Sequence, residues 1–348
     1  MNNIQRLKKD YPWIQTPLVV GAPMRLIALA DMAVEISKAG GIGFIGAGTD
    51  VSDLRSHLQN AVQLLSSHPL PTQNNTLPLG IGFINWGADL PTAIPLIASF
   101  KPAAVWFFAP SSLPSLADWC AQTRAASPDT KIWIQVGSVR EARGVVDAVK
   151  PDVLVVQGTD AGGHGLEAGA GLVALLPEVV DVLGSSNEGP VIIAAGGIST
   201  ATGALASLVL GAAGVCMGTR FLASPEANIS DGYRREVLRA SDGGQTTRRT
   251  KVYDNLRGTT GWGESHNARG ILNRSYWDHV GGMSEEENKR LYQEEMGKGD
   301  EGWGEDRRMT AYAGSGVGLV KEVKGAGDIV REIREGVREL AGGVQALL

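Results

Sequence analysis

Most of eight short apolar runs end in a glycine-containing turn, amphipathic helical patterns separate them, and the runs are continuously apolar rather than alternating. These three features predict an α/β chain folded as a closed (β/α)8 TIM barrel, because strands of an all-parallel sheet are buried on both faces. A doubly wound open sheet is the alternative, and it usually has fewer strands.

The candidate strands follow in order. Leu18-Val19-Val20 leads into Gly21-Ala22-Pro23-Met24, and Gly41 to Ile45 leads into Gly46-Ala47-Gly48. Leu79 to Phe83 runs into Ile84-Asn85-Trp86, and Ala104 to Phe108 into Ala109-Pro110. Ile132 to Val136 precedes Gly137-Ser138, and Val153 to Gln157 precedes Gly158. Val191 to Ala195 ends at Gly196-Gly197, and Gly214 to Met217 ends at Gly218-Thr219. Ala30 to Ala39, Asp53 to Ser66, Val139 to Val149 and Ala201 to Leu210 carry the helical spacing of apolar residues between them.

After Pro225 the character changes. From about Asn228 to Arg308 charges are dense and strand patterns vanish, and Trp262, Trp277 and Trp303 stand among glycines. Ser284 and Glu287 have capping-box spacing at the start of a helix running to Met296. The reading is a barrel over residues 1–227, an inserted helical, loop-rich lobe over 228–310, and a C-terminal segment, 311–348, that returns to the barrel and closes with a helix from Gly327.

Composition narrows the function. A formal net charge of −5 argues against a nucleic-acid partner. No stretch is apolar enough for a membrane span or a secretory signal. Two cysteines, Cys120 and Cys216, fit a reducing compartment, so the expected location is cytoplasmic. Cys216 lies within an apolar strand and reads as core. Metal-ligand spacing, a P-loop and a G-x-S-x-G elbow are all missing from the sequence. The glycines of Gly41-Ile42-Gly43-Phe44-Ile45-Gly46 lie within the strand rather than the following turn, which discounts a dinucleotide fingerprint.

Two constellations carry chemistry. Gly196-Gly197-Ile198-Ser199 and Gly218-Thr219-Arg220 follow the seventh and eighth candidate strands, where barrels gather backbone N–H groups around phosphate. Gln157-Gly158-Thr159-Asp160-Ala161-Gly162-Gly163-His164-Gly165 follows the sixth and places a histidine in a glycine frame at the catalytic rim, with Asp160 or Glu167 the acids available to orient it. Met24 offers an apolar wall for a flat ring, and Asn85, Gln135 and Gln157 offer amides suited to the edge of a heterocycle. The other histidines, at 57, 68, 266 and 279, lie on helical or loop stretches and receive no role.

On these motifs, together with Met217 to Leu222 and Tyr312 to Gly318, the sequence resembles the nitronate monooxygenases, formerly called 2-nitropropane dioxygenases. The resemblance implies FMN, its phosphate on Gly196, Gly197, Gly218 and Thr219 and its ring against Ala22, Met24, Asn85, Gln157 and Gly162, with Gln135 and Gly163 beside them. It implies that His164 is the catalytic residue, that Tyr312 and Ser315 shape the substrate pocket, and that no metal takes part. The expected reaction is oxidation of a nitronate or nitroalkane by dioxygen to a carbonyl compound and nitrite, in a monomer or homodimer without nucleic-acid or membrane partners. Related barrels reduce a quinone or an enoyl thioester with NAD(P)H, which is the alternative; a non-catalytic flavin-binding barrel is the second.

Overall fold

The computed structural model describes residues 1–184 and 189–347. Eight parallel strands form one curled sheet: β1 (Leu18–Gly21), β2 (Phe44–Gly48), β3 (Leu77–Ile84), β4 (Pro102–Phe108), β5 (Lys131–Val136), β6 (Val153–Gln157), β8 (Val191–Ala195) and β9 (Gly214–Met217). A short strand, β7 (Gly163–Leu166), interrupts the series and belongs to a separate sheet. The order around the large sheet is β1-β9-β8-β6-β5-β4-β3-β2, and a parallel bridge from Val20 to Ile42 brings its two ends together. The barrel is therefore closed.

Most strands divide their side chains between two apolar layers. Leu18, Val20, Phe44, Trp106, Trp133, Val155 and Ile193 fill the interior, while Val19, Ile45, Ile81, Val105, Phe107, Ile134 and Leu154 meet the surrounding helices. This two-sided burial is why the strands read as continuous apolar runs. Inside, Trp106 and Trp133 stack with centroids 6.0 Å apart, and Phe44 stands edge-on to both. The helix Asn3–Asp10 and the residues after it close the N-terminal end: Leu7, Tyr11, Trp13 and Ile14 are buried there, and the Trp133 indole donates to the Tyr11 hydroxyl at 2.6 Å.

The glycines near β2 serve this packing. A Cβ on Gly43 would lie 2.0 Å from the Ala33 carbonyl oxygen, and one on Gly46 2.4 Å from that of Met24.

The helices Ala30–Lys38, Leu54–Ser66, Val139–Val149 and Ala201–Val209 occupy the segments with helical periodicity, and Ala326–Leu347 closes the chain. Leu90–Phe100, Leu113–Ala126 and Leu172–Leu183 complete the outer ring although each contains proline. Pro91 and Pro114 sit in first turns, where no intrahelical N–H bond is lost. At Glu285–Met296 the Ser284 hydroxyl accepts from the Glu287 N–H, so one half of the expected capping box forms; the Glu287 carboxylate engages Arg290 instead.

One expectation for the region after Asn228 needs correction. Strands do occur there: β10 (Thr247–Thr250) and β11 (His266–Ile271) pair antiparallel with each other, and β11 pairs with β7. Their polar sequences hid them, because pairing here rests on the backbone rather than on an apolar face. The segment at Tyr312 makes only an isolated bridge to Gly270 and then turns into a 3-10 helix over Ser315–Leu319, so it returns to the barrel without adding a strand.

Candidate active site at the strand C-termini

β8 and β9 end side by side. Gly196 and Gly197 follow β8 with φ of +103° and +74°, a conformation that side-chain-bearing residues avoid. The N–H groups of Gly197 and Gly218 donate to no acceptor among the described residues. A Cβ on Gly218 would meet only Ala22 Cβ and Met24 Sδ, each at 3.6 Å, so these three residues share one wall. Thr219 opens a short helix, and its Oγ1 accepts from the Gly314 N–H at 3.0 Å. Asn85, just past β3, accepts from the Phe108 N–H at 2.9 Å through Oδ1, while its Nδ2 is buried without a partner among the described residues. The Trp86 indole N–H is orphaned in the same way. Free backbone donors beside glycines and buried donors lacking acceptors fit an anionic ligand with a heteroaromatic head.

His164 stands on β7 rather than in a loop. Gly163 and Gly165 flank it in the ladder between β7 and β11, and its carbonyl accepts from Gln157 Nε2 at 3.1 Å. Its Nε2 lies 2.9 and 3.0 Å from the two carboxylate oxygens of Asp254, which is buried on the helix Val252–Arg257. Asp254 Oδ1 also accepts from Thr259 Oγ1 at 2.8 Å and from the Tyr312 hydroxyl at 3.2 Å. Burial, and then the Asp254 charge, hold the Tyr312 phenol well above the ordinary tyrosine range, so it stays a donor. Arg257 lies over the Tyr312 ring, 5.4 Å from its centroid. Trp262 stacks on His164 with centroids 3.7 Å apart and planes 9° apart. Trp86, Phe108 and His266 pack around Trp262.

Arg249 organises the approach to His164. From β10 its guanidinium donates to the carbonyls of Thr159, Ala161, Gly163 and Asn267 and to the Thr159 hydroxyl. Burial, reinforced by nearby Arg269, pushes it down to about 10.

The acid that orients His164 differs from the sequence expectation. Asp160 does not orient His164: its Oδ1 accepts from Ser315 Oγ at 2.9 Å and its Oδ2 from the Leu172 N–H at 3.4 Å. Glu167 makes a backbone bond to Ser265 and no contact with the imidazole. Asp254 takes that place. The Ser315 hydroxyl is committed to Asp160, and Gln135 Oε1 accepts from the Trp106 indole at 3.2 Å. Gly162 lies against the C-terminal segment, where a Cβ would come within 2.5 Å of Ala313 C and Gly314 N. His266, given no role from the sequence, is part of the aromatic surround, and burial followed by the nearby His164 lowers its pKa. The one sequence signal for this surround was a tryptophan framed by glycines in Gly258-Thr259-Thr260-Gly261-Trp262-Gly263.

A closed parallel barrel with a histidine–carboxylate pair at its strand C-termini defines an enzyme acting on a small molecule. Residues 121–336 match the family model described as nitronate monooxygenase. The chain is 47% identical to the nitronate monooxygenase npaC of Metarhizium robertsii, with 99% of this chain and 97% of that one covered. It is 36% identical to the nitronate monooxygenase of Neurospora crassa, over 99% and 95% of the two chains. The chain belongs to the nitronate monooxygenase family and is a flavin-dependent oxidoreductase. The solved structures of FabK from Thermotoga maritima (TM-score 0.74, 23% identity, 99% of each chain) and nitroalkane oxidase from Streptomyces ansochromogenes (TM-score 0.73, 21% identity, 97% of this chain and 99% of that one) have the same fold. Among the described residues no helix is long and apolar enough to cross a membrane.

Proposed function

We propose that the chain is an FMN-dependent monooxygenase that oxidises a nitronate, or its parent nitroalkane, with dioxygen to a carbonyl compound and nitrite. The observation that carries this reading is the His164 imidazole held 2.9 Å from a buried carboxylate at the C-terminal rim of the barrel.

The N–H groups of Gly197 and Gly218, with Gly196 and Thr219, are the groups we assign to the FMN phosphate. Ala22 and Met24 supply an apolar wall, and the orphaned Asn85 Nδ2 supplies a donor for an acceptor atom of the ring; we assign Gln135, Gln157, Gly162 and Gly163 to the ring as well. When bound, FMN supplies the electron-transfer and dioxygen chemistry. The protein's own task is the proton. The α-hydrogen of a nitroalkane is acidic because the nitro group delocalises the resulting charge, and neutral His164 takes it as general base. A preformed nitronate needs no such step.

The test compares His164→Asn with the parent enzyme on a neutral nitroalkane and on its nitronate. Turnover of the nitroalkane falls by at least about a hundredfold, in the range general-base catalysis contributes, and that of the nitronate falls much less. Equal losses on both substrates overturn the assignment. Rapid bleaching of the purified yellow protein by NADH or NADPH under anaerobic conditions would instead favour a reductase.

A further inference from the structure

Asp254 sits ninety residues from His164 in sequence, yet both its oxygens lie within 3.0 Å of His164 Nε2. A carboxylate has lone pairs and no hydrogen to give, so the atom facing it must carry one. The two other neighbours of this carboxylate are hydroxyls, from Thr259 and Tyr312, and both donate to Oδ1. Nothing in this set can donate to Nε2. We infer that Asp254 is a positioning residue which fixes neutral His164 as the Nε2–H tautomer, so that Nδ1 is the atom that accepts the substrate proton.

This inference rests on His164 being the base, and it adds which nitrogen acts and what holds it there. The ring is fixed from several directions. Gly163 and Gly165 place it on a paired strand, and Gln157 holds its carbonyl. Trp262 covers one π-face at 3.7 Å. A stacked indole blocks neither ring nitrogen, because their lone pairs lie in the imidazole plane. Nε2 is occupied by Asp254, which leaves Nδ1. When the proton arrives at Nδ1, the ring keeps its Nε2 hydrogen bond to the Asp254 carboxylate and its contact with the indole. Proton balance is simple: the α-carbon loses H+ and keeps the electron pair as nitronate, while Nδ1 gains the H+. The other titratable and charged groups around the pair are Tyr312, Arg257, His266 and Arg249.

The experiment uses the flavin-loaded enzyme with 15N-labelled histidine, and identifies the His164 signals by their loss in His164→Asn. At a pH where the ring is neutral, long-range proton–nitrogen correlation is expected to show a protonated Nε2 and a bare Nδ1. The reverse pattern overturns the inference, whatever the enzyme's activity. Asp254→Asn, whose side-chain amide can donate to Nε2, is expected to shift the population toward Nδ1–H and to lower kcat/KM for a neutral nitroalkane at least about tenfold more than for its nitronate. An unchanged tautomer in a folded Asp254→Asn protein also overturns it. Equal losses on both substrates in His164→Asn sink the parent reading while leaving the nitrogen assignment to stand or fall on the spectra.

Discussion

The Trp262 indole and the His164 imidazole lie face to face, 3.7 Å between centroids and 9° between planes. The contact joins the glycine-framed segment after the helix Val252–Arg257 to a strand that leaves the barrel after β6. It restricts rotation of the imidazole about the axis that its bond to Asp254 leaves free.

Replacing Trp262 by leucine removes this restraint and retains the apolar surface. Aromatic pairs are worth about 0.5–1.5 kcal/mol beyond burial, equivalent to roughly a two- to twelvefold effect. Trp262→Leu is therefore expected to lower kcat/KM for a neutral nitroalkane by about that factor while its flavin content equals that of the parent. Unchanged kinetics would show that Asp254 alone fixes the ring.

Arg249 is the cation whose loss should cost the fold most near the site. Five acceptors converge on its guanidinium, four of them backbone carbonyls. Arg249→Met keeps the apolar stem and removes their shared donor, leaving the Thr159 carbonyl with a second one, from Arg269 Nε at 3.2 Å, at about 1–3 kcal/mol for each acceptor left unsatisfied. The expected outcome is a loss of at least about 3 kcal/mol in denaturant unfolding, with faster amide exchange from Thr159 to Gly165. A stability change below about 1 kcal/mol would mean that water replaces the guanidinium.

How far the sequence disclosed this arrangement depends on what each element is made of. The barrel strands were legible because β6, with Val153-Leu154-Val155-Val156, is apolar on both faces. β7, with Gly163-His164-Gly165-Leu166, and β10, with Thr247-Arg248-Arg249-Thr250, are held by backbone pairing and by carbonyls gathered on Arg249, which leaves no periodic trace. His164 was conspicuous by its glycine frame. Asp254 was not, since an acidic residue in Val252-Tyr253-Asp254-Asn255 looks like any solvated helix position until the fold buries it. Asp160 was the natural candidate by proximity in sequence, and it accepts from the Leu172 N–H and the Ser315 hydroxyl instead.

Adjacent glycines at 162 and 163 provide a paired test of the C-terminal segment. A Cβ at Gly162 would press on the backbone of Ala313 and Gly314 at 2.5 Å, whereas one at Gly163 meets nothing within 4 Å and pays only for its φ of +67°. Gly163→Ala should cost about 1–2 kcal/mol. Gly162→Ala should cost more, because rigid backbone must move, and should expose the segment from Ala311 to Gly316 to proteolysis. The opposite ranking would show that this segment does not press on the loop.

Both thiols are buried and unpaired. Burial pushes Cys120 up to about 12, and burial alone pushes Cys216 higher still. Since the thiolate is the nucleophile, neither should react with iodoacetamide in the folded protein at mildly alkaline pH, and both should react after denaturation. Labelling of Cys216 in the folded state would show that the barrel interior opens.

Three buried phenols and a half-buried one set the alkaline limit of stability. Tyr11, Tyr233, Tyr253 and Tyr312 are all raised, in each case chiefly by burial. A raised value in the folded state favours the neutral phenol, so the contribution to stability is complete below the ordinary tyrosine value of about 10 and is lost as pH rises through the folded values. In the unfolded chain these phenols ionise freely above about pH 10, which pulls the equilibrium toward unfolding. Tyrosinate absorbance from these residues should therefore appear together with loss of the far-ultraviolet helical signal, as one transition. Tyr11→Phe removes one such group at the closed end of the barrel, where it accepts from Trp133. It should shift the alkaline transition to higher pH while lowering stability at neutral pH by about 1 kcal/mol for the lost hydrogen bond. Ionisation of all four phenols with the helical signal intact would contradict this coupling to unfolding.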